Sequence, residues 1–480
     1  MATGSHVVPG QAVQLRRAAA HHRPHTGGDG RSRRVAQCTR QQARPPSRHR
    51  THGAAFVFSY SLQKRGYPVK LAIHGGEPVR TEPFPSGKDI GAEELALVTE
   101  VIESKRLCLH GGEKVPLFEA RFAEHYGVRH CTASTSGTSA LHVAVGGINP
   151  NPGDEIITAP ITDMGTIVAI LAQNCIPVFA DIDPDTYNVS PASISERITD
   201  RTAAIMPVHL FGNPCDMDAI MRIAREHNLH VIEDTSQSYG TMYRGRRAGT
   251  IGDIGSFSLQ QSKHITTGDG GLTITDDDAL GERIHLFANK GWPNYSALGA
   301  REYRIFGFCY RMTELTAAVG LAQLPKLDRI TAGFNWAGDL LTEKLQGIPG
   351  IQPPITTPGG VHTYWHYALR VDEQELGMSN VEFARACVAE GAPCGAGYIG
   401  CPIYMYEALR KKNIYGDTLF PFDSKEYGSG HEVPYEEGYC PEAERALNEM
   451  ASLHVNQYFT EKDIQDMADI VHKVAEHARD

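Results

Sequence analysis

Lys263 has the surroundings a covalent catalyst needs. It follows the apolar run Ile254–Leu259 and precedes the turn Gly268-Asp269-Gly270-Gly271. A lysine in a partly desolvated pocket has a lowered pKa and attacks an aldehyde carbon; on an open loop it is only a solvated cation. Three further segments carry groups that would complement such an amine. Thr135-Ser136-Gly137-Thr138-Ser139 precedes a helical pattern. Free N–H groups and the helix dipole make an anion site there, and Gly137 lets the anion come close; the same residues also serve as an ordinary N-cap. In Val231-Ile232-Glu233-Asp234-Thr235-Ser236-Gln237, Asp234 lies at the end of a buried run. Beside a pyridine nitrogen its carboxylate would keep that nitrogen protonated, and Gln237 can donate to a phenolate oxygen; Asp234 equally fits a helix cap. Phe308-Cys309-Tyr310-Arg311-Met312-Thr313-Glu314 sets an arginine just ahead of a helix, to hold an anion or to pair with an acid.

These segments must be positioned by a scaffold, and its pattern is readable. Glu155–Pro160, Pro177–Asp183, Ala203–Leu210, Leu229–Glu233, Ile254–Leu259 and Gly271–Thr275 read as buried strands, with helical patterns at Ser139–Gly146, Met164–Gln173 and Met217–His227 between several of them. Strand–helix alternation predicts an α/β fold with a mostly parallel sheet covered on both faces, and ligands beyond the carboxyl ends of its strands. The last two strands lack a helix between them, which predicts one antiparallel pair. A helix capped by Thr313 runs through Leu324, kinks at Pro325 and continues toward Leu345. Strand-like Tyr364–Val371 and helical Val381–Glu390 and Glu461–Ala478 follow. The chain therefore divides into a large domain over 68–335 and a smaller α+β domain over 336–480.

Residues 1–67 differ from the rest, with eleven arginines from Arg16 to Arg65 against one acid, Asp29. No apolar periodicity runs through them, so they read as a disordered basic extension, with a transit peptide as the lesser reading. The His21, His22 and His25 cluster is read as incidental rather than as a metal site. A net charge of -10 argues against a nucleic-acid partner. Ten cysteines without a C-x-x-C pair point to free thiols in a reducing, cytoplasmic setting. The best apolar run, Thr166–Ala180, is interrupted by Gln173, Asn174 and Pro177, so no membrane span is expected.

A phosphate-type helix start, then a strand-end Asp, then a strand-end Ser and Lys before a Gly turn is the order of a pyridoxal phosphate (PLP) site of fold-type I. At this point the chain resembles the DegT/DnrJ/EryC1/StrS sugar aminotransferases, from about Leu71 to the C-terminus. The resemblance is carried by Leu71-Ala72-Ile73-His74-Gly75-Gly76-Glu77-Pro78-Val79-Arg80, Ser136–Leu141, Gly153-Asp154-Glu155, Asp181–Pro184, Pro207–Gly212, Glu233-Asp234, Ser258, Lys263, Gly268–Gly271, Tyr310-Arg311-Met312, Gln323-Leu324 and Cys440-Pro441. It implies that Lys263 forms the Schiff base with PLP and moves the proton between substrate and cofactor. Asp234 would pair with the pyridine nitrogen, Gln237 would contact the 3-oxygen, and Ser258, Gly137 and Thr138 would hold the phosphate. It also implies a homodimer whose sites borrow residues around Phe308–Arg311 from the neighbouring subunit. The expected reaction moves nitrogen from Glu or Gln to a nucleotide-linked keto sugar or to a ketocyclitol such as scyllo-inosose. The Gly75–Arg80 and Gln260–Lys263 stretches lean the acceptor toward the cyclitol or antibiotic-type class.

Two positions depart from the family. Asp163 follows Pro160-Ile161-Thr162 where an aromatic or histidine usually stacks on the PLP ring, so either Met164 packs there or Asp163 binds a substrate hydroxyl or ammonium. Cys309 stands where an asparagine often reaches the partner's phosphate. Two rival readings are a PLP-dependent sugar dehydratase, in which histidine replaces the Schiff-base lysine and His264 would have to serve, and a non-catalytic regulatory homologue. The stretches His362–His366 and Tyr398–Tyr404 are expected to face substrate.

Overall fold

Seven strands form the central sheet, and the loops at their carboxyl ends carry the residues singled out above. The computed structural model describes residues 70–293, 302–427 and 432–478. The extension, its possible targeting role and the His21, His22 and His25 cluster lie outside the described residues. In chain order the strands are β1 (His130–Ser134), β2 (Glu155–Thr158), β3 (Ile176–Phe179), β4 (Thr202–Met206), β5 (His230–Asp234), β6 (Ile254–Ser258) and β7 (Gly271–Thr275). Their spatial order is β1-β7-β6-β5-β4-β2-β3. The pairs from β3 through β2, β4 and β5 to β6 are parallel, and β7 runs antiparallel to both β6 and β1. The α/β architecture and its antiparallel pair are therefore as expected.

The observed strands are shorter than the apolar runs. The strands β2, β3 and β4 end at Thr158, Phe179 and Met206, yet Ala159, Ile161, Ala180, Ile182 and Val208 remain buried. Val208 still bridges Asp234 of β5, and the residues beyond the strand ends stay packed in the apolar cluster around Ile157 and Val178. β1 carries no apolar run, only His-Cys-Thr-Ala-Ser, and is made a strand by five registered pairs with β7.

The helices used below are α1 (Ala92–Ser104), α2 (Lys114–Tyr126), α3 (Gly137–Ile148), α4 (Met164–Leu171), α5 (Met217–His227), α6 (Asp278–Ala288), α7 (Glu314–Gln323), α8 (Leu327–Leu345), α9 (Asn380–Ala389) and α10 (Glu461–Glu476). Thr313 caps α7 by accepting from the Thr316 amide at 3.2 Å, and a 3-10 turn at Leu324–Lys326 joins α7 to α8 at Pro325. Glu314 is buried and gathers the amides of Glu113, Lys114 and Val115 at 2.7–3.0 Å, so one carboxylate caps α2 from another helix.

A second sheet of four strands follows: β8 (Ile351–Gln352), β9 (Tyr367–Val371), β10 (Cys394–Ala396) and β11 (Met450–Leu453), in the order β8-β9-β11-β10. α9 and α10 pack against each other and α10 against α8. Residue 335 lies inside α8, and one apolar cluster runs from Phe257 and Leu272 of the first sheet to Leu369 and Leu453 of the second. The opening Leu71–Arg80 stretch is fastened to this part. Buried Glu390 accepts from the amides of Ala72 at 2.8 Å and Val79 at 3.0 Å and pairs with Lys473 at 2.7 Å. Arg80 bridges Asp463 at 2.7 Å and Asp466 at 2.9 Å on α10. This motif is framework, so its likeness to cyclitol-acting proteins does not report on acceptor contacts.

Candidate active site

All seven residues singled out as the site, Gly137, Thr138, Asp163, Asp234, Gln237, Ser258 and Lys263, line one cavity of about 360 Å³. The cavity lies beyond the carboxyl ends of β5 and β6 and at the start of α3, where an open parallel sheet puts its ligands.

At one end its floor is the first turn of α3, whose free amides can take an anion. Ser136 caps α3, its hydroxyl accepting from the Ser139 amide at 3.1 Å. The amides of Gly137 and Thr138, the first two of the helix, have no acceptor within it. A Cβ at residue 137 would sit 2.6 Å from Cβ and 2.7 Å from Oγ of Ser258. Only glycine lets the helix start meet the Ser258 hydroxyl, which joins those amides as a third donor. Gly271 lets β7 close against the same turn, since a Cβ there would lie 2.1 Å from the Ser136 carbonyl.

Asp234 ends β5 and is buried. Its Oδ2 accepts from Thr166 Oγ1 at 2.8 Å and its Oδ1 from the Ser236 amide at 3.1 Å. These two donors fix the plane of the carboxylate. Its neighbour Glu233 faces the other side of the strand, where it takes His209 at 2.9 Å and the amides of Gly249, Ile251 and Gly252. Burial raises the Glu233 pKa, but His209 and the backbone amides outweigh it and hold it lowered, and this carboxylate is structural. Gln237 is held at both ends, its Oε1 by the Phe211 amide at 2.9 Å and its Nε2 donating to the Tyr398 hydroxyl at 3.1 Å.

Lys263 sits on the turn after β6, its amide donating to the Gln260 carbonyl at 2.9 Å. Burial pushes its pKa down to about 8, opposed by the charges of Asp234 and Asp163 and helped by that of Lys88. An amine in that range is partly neutral near physiological pH and can act as a nucleophile. His264, one residue on, points the other way. It is buried against Phe334 and Tyr239, donates from Nε2 to the Thr363 carbonyl at 3.0 Å, and is held neutral by burial, with a pKa pushed down to about 4. It does not stand in for Lys263.

The two departures fall differently. Asp163 lines the cavity while one oxygen caps α4 through the Gly165 amide at 2.8 Å, and Met164 packs partly buried against the neighbouring apolar cluster. Cys309 is exposed and pairs through its backbone with Asn289, whose side chain accepts from Arg311 at 2.9 Å. Among the described residues neither Cys309 nor Arg311 lines the cavity.

The second sheet supplies two walls that the sequence marked only as part of longer stretches, Trp365 and Tyr398. Of the other residues in those stretches, His362 is buried in the core beside Tyr364, and Tyr404 is buried and bonded to Glu444 at 2.6 Å. Thr166, Ser236, Gln260 and Asp269 also line the cavity. Ser236, Gln260 and Asp269 fall in the segments singled out around Asp234 and Lys263 without being given a role, and no local signal marks Thr166.

Known proteins are similar to this chain in sequence and fold. The DegT/DnrJ/EryC1/StrS aminotransferase family matches residues 88–472. The spore coat polysaccharide biosynthesis protein SpsC of Bacillus subtilis (strain 168) is 36% identical over 69% of this chain and 86% of its own length. A putative L-glutamine:3-amino-2,3-dideoxy-scyllo-inosose aminotransferase of Micromonospora echinospora is 34% identical over 85% of this chain and 97% of its own. Among solved structures, an aminotransferase from Psychrobacter cryohalolentis superposes with a TM-score of 0.72 at 29% identity, covering 83% of this chain and all of that one.

Proposed function

We propose that this chain, which belongs to the DegT/DnrJ/EryC1/StrS aminotransferase family, binds PLP at Lys263 and moves an amino group from Glu or Gln to a keto sugar or ketocyclitol. The observation that carries the reading is the convergence, in one cavity, of a buried low-pKa lysine, a strand-end carboxylate and a three-donor anion cradle. These match the aldehyde, the ring nitrogen and the phosphate of PLP. The amides of Gly137 and Thr138 with the Ser258 hydroxyl would take the phosphate, Asp234 the ring nitrogen and Gln237 the phenolate oxygen. Bound there, PLP supplies the electron sink that lets a donor's Cα lose a proton and its nitrogen stay behind for a ketone. Lys263 would hold the cofactor and, once displaced, carry that proton; an amine of pKa about 8 can both accept and return it.

In this reading residues 68–335 hold the cofactor and 336–480 bring Trp365 and Tyr398 to the acceptor side. The acceptor's hydroxyls would meet Asp163 and the Tyr398 hydroxyl. The Micromonospora relative is named for a ketocyclitol acceptor and a glutamine donor, which supports testing that pair first. The decisive measurement is a half-reaction. With the PLP-loaded protein and no keto acceptor, Glu or Gln is expected to release a stoichiometric burst of 2-oxo acid. If neither donor does so, the aminotransferase reading fails. A screen of keto acceptors against the donor-treated protein then identifies the second substrate.

A homodimer fits the surface. Leu95 (68% exposed) and Ile102 (54%) put large apolar side chains in water along α1, Leu107 (48%) does so beside the start of α7, and Phe306 (80%) beside Phe308. Sedimentation of the full chain is expected to give a dimer, and Leu95→Glu with Ile102→Glu to give monomer; a monomeric wild-type chain would refute the shared-site arrangement. The cysteines among the described residues are all free thiols, which supports a cytoplasmic setting. No helix among the described residues is long and apolar enough to cross a membrane.

A further inference from the structure

We infer that Trp365 is a positioning residue for Lys263, holding the lysine's ammonium on its indole face until PLP is captured. The Lys263 Nζ lies 3.7 Å from the centre of the Trp365 ring. That is a full cation–π contact, and such contacts strengthen where water is excluded. The indole itself is fixed from three sides. Its Nε1 donates to the Ser262 carbonyl at 3.0 Å, its backbone amide donates to the Phe211 carbonyl at 2.8 Å, and its ring packs edgewise on His366 at 4.3 Å. One side chain thus grips the lysine loop twice, at the peptide before Lys263 and at the ammonium itself. Tryptophan combines a broad apolar π face with an N–H donor on one side chain.

The contact answers a problem the site creates. A four-carbon side chain in a 360 Å³ cavity has many rotamers, and two carboxylates, Asp234 and Asp163, compete for its charge. Lys88, whose Nζ donates to the Lys263 carbonyl at 2.5 Å, repels it from one side, and His366 packs beside the indole. Burial draws the Lys263 pKa down to about 8. The ring opposes that shift, because it stabilises only the charged form. Capture joins the lysine nitrogen to the aldehyde carbon and releases water, and it needs the neutral amine. Trp365 therefore trades some neutral amine for a lysine already aimed into the cavity.

The inference rests on the reading that Lys263 takes PLP, and the test separates the two. Full-length chain stripped of cofactor is labelled with trace acetic anhydride across a pH series, and the Lys263 peptide is followed by mass spectrometry. Trp365→Phe and Trp365→Leu both remove the indole N–H and open the cavity to similar degrees, but only phenylalanine keeps a π face. The labelling midpoint of Trp365→Leu is expected to lie below that of Trp365→Phe by about half to one pH unit. Trp365→Met serves as a second non-aromatic variant and is expected to follow leucine. Coincident midpoints for phenylalanine and the non-aromatic variants overturn the inference. In parallel, wild-type chain is incubated with PLP and reduced with borohydride. Cofactor fixed to a lysine other than Lys263 overturns the underlying reading and this inference with it. Cofactor on Lys263 with coincident midpoints overturns the role of Trp365 alone.

Discussion

Lys263→Ala is expected to end covalent capture of PLP and to lower turnover by about three orders of magnitude or more, while the chain melts at the same temperature or slightly higher. The second half of that expectation follows from burial. The Lys263 ammonium is a desolvated cation with a depressed pKa, so its removal relieves a cost of folding rather than adding one. The turn does not depend on the side chain, since its hydrogen bonds use the Lys263 amide to the Gln260 carbonyl and the Lys263 carbonyl to Lys88. The phosphate cradle at Gly137, Thr138 and Ser258 is likewise untouched, so the variant should still bind PLP without fixing it. Borohydride treatment, digestion and mass spectrometry check this directly, since the cofactor-bearing peptide of the wild type disappears in the variant. Among the described residues Lys88 is a nearby rival amine, with a pKa also pushed down to about 8 by burial; a label that moves to Lys88 would be visible in the same digest. Small added amines should restore part of the proton transfer if the missing group is the base. A variant that transaminates at near the wild-type rate removes Lys263 from the chemistry altogether.

What the sequence made readable follows a physical rule. Asp234, Ser258 and Lys263 stood out because each ends or follows a strand that is buried along nearly its whole length, and a polar side chain at a strand's carboxyl end can face a ligand there. Period-two alternation separates Asp234 from Glu233, which takes His209 and three amides on the far face. β1 was not readable, because His130–Ser134 has no apolar run of its own and owes its burial to β7 and the helices around it. The direction of His264 was not readable either. The turn after Ser258 sends two consecutive residues to opposite sides, one into the cavity and one into the core. Trp365 and Tyr398 lie more than a hundred residues from Asp234, just outside β9 and β10, and reach the site through tertiary contacts with Phe211, Ser262 and Gln237. Nothing local distinguishes them from the other aromatic residues of their stretches, several of which are core.

Asp234→Asn is expected to lower turnover by about a hundredfold or more while leaving PLP bound to Lys263. The substitution is close to isosteric. The Ser236 amide can still donate to the new Oδ1, and Thr166 can turn its hydroxyl to accept from Nδ2 instead of donating, because Thr162 lies 2.7 Å away as an alternative partner. Shape and packing therefore survive, and what is lost is the charge. A neutral amide cannot hold a proton on a ring nitrogen, so the ring's capacity to accept carbanion charge falls where the donor's Cα–H must break. The deficit should consequently appear in the rate of oxo-acid release rather than in cofactor affinity, and it should carry a large isotope effect on Cα-deuterated donor. Losing the Asp234 charge should also lower the pKa of Lys263, since that charge is the largest of those raising it. The labelling midpoint of Lys263 in the stripped variant should thus move to lower pH, in the same direction as in Trp365→Leu but through lost Coulomb attraction rather than a lost ring face, and raised salt should change that shift little at so buried a site. A PLP analogue methylated at the ring nitrogen carries its charge without help from the protein, and it should recover much of the lost rate in Asp234→Asn. If the methylated cofactor gives no recovery, Asp234 acts on something other than the ring nitrogen, and its assigned role is wrong even if Lys263 proves to be the anchor.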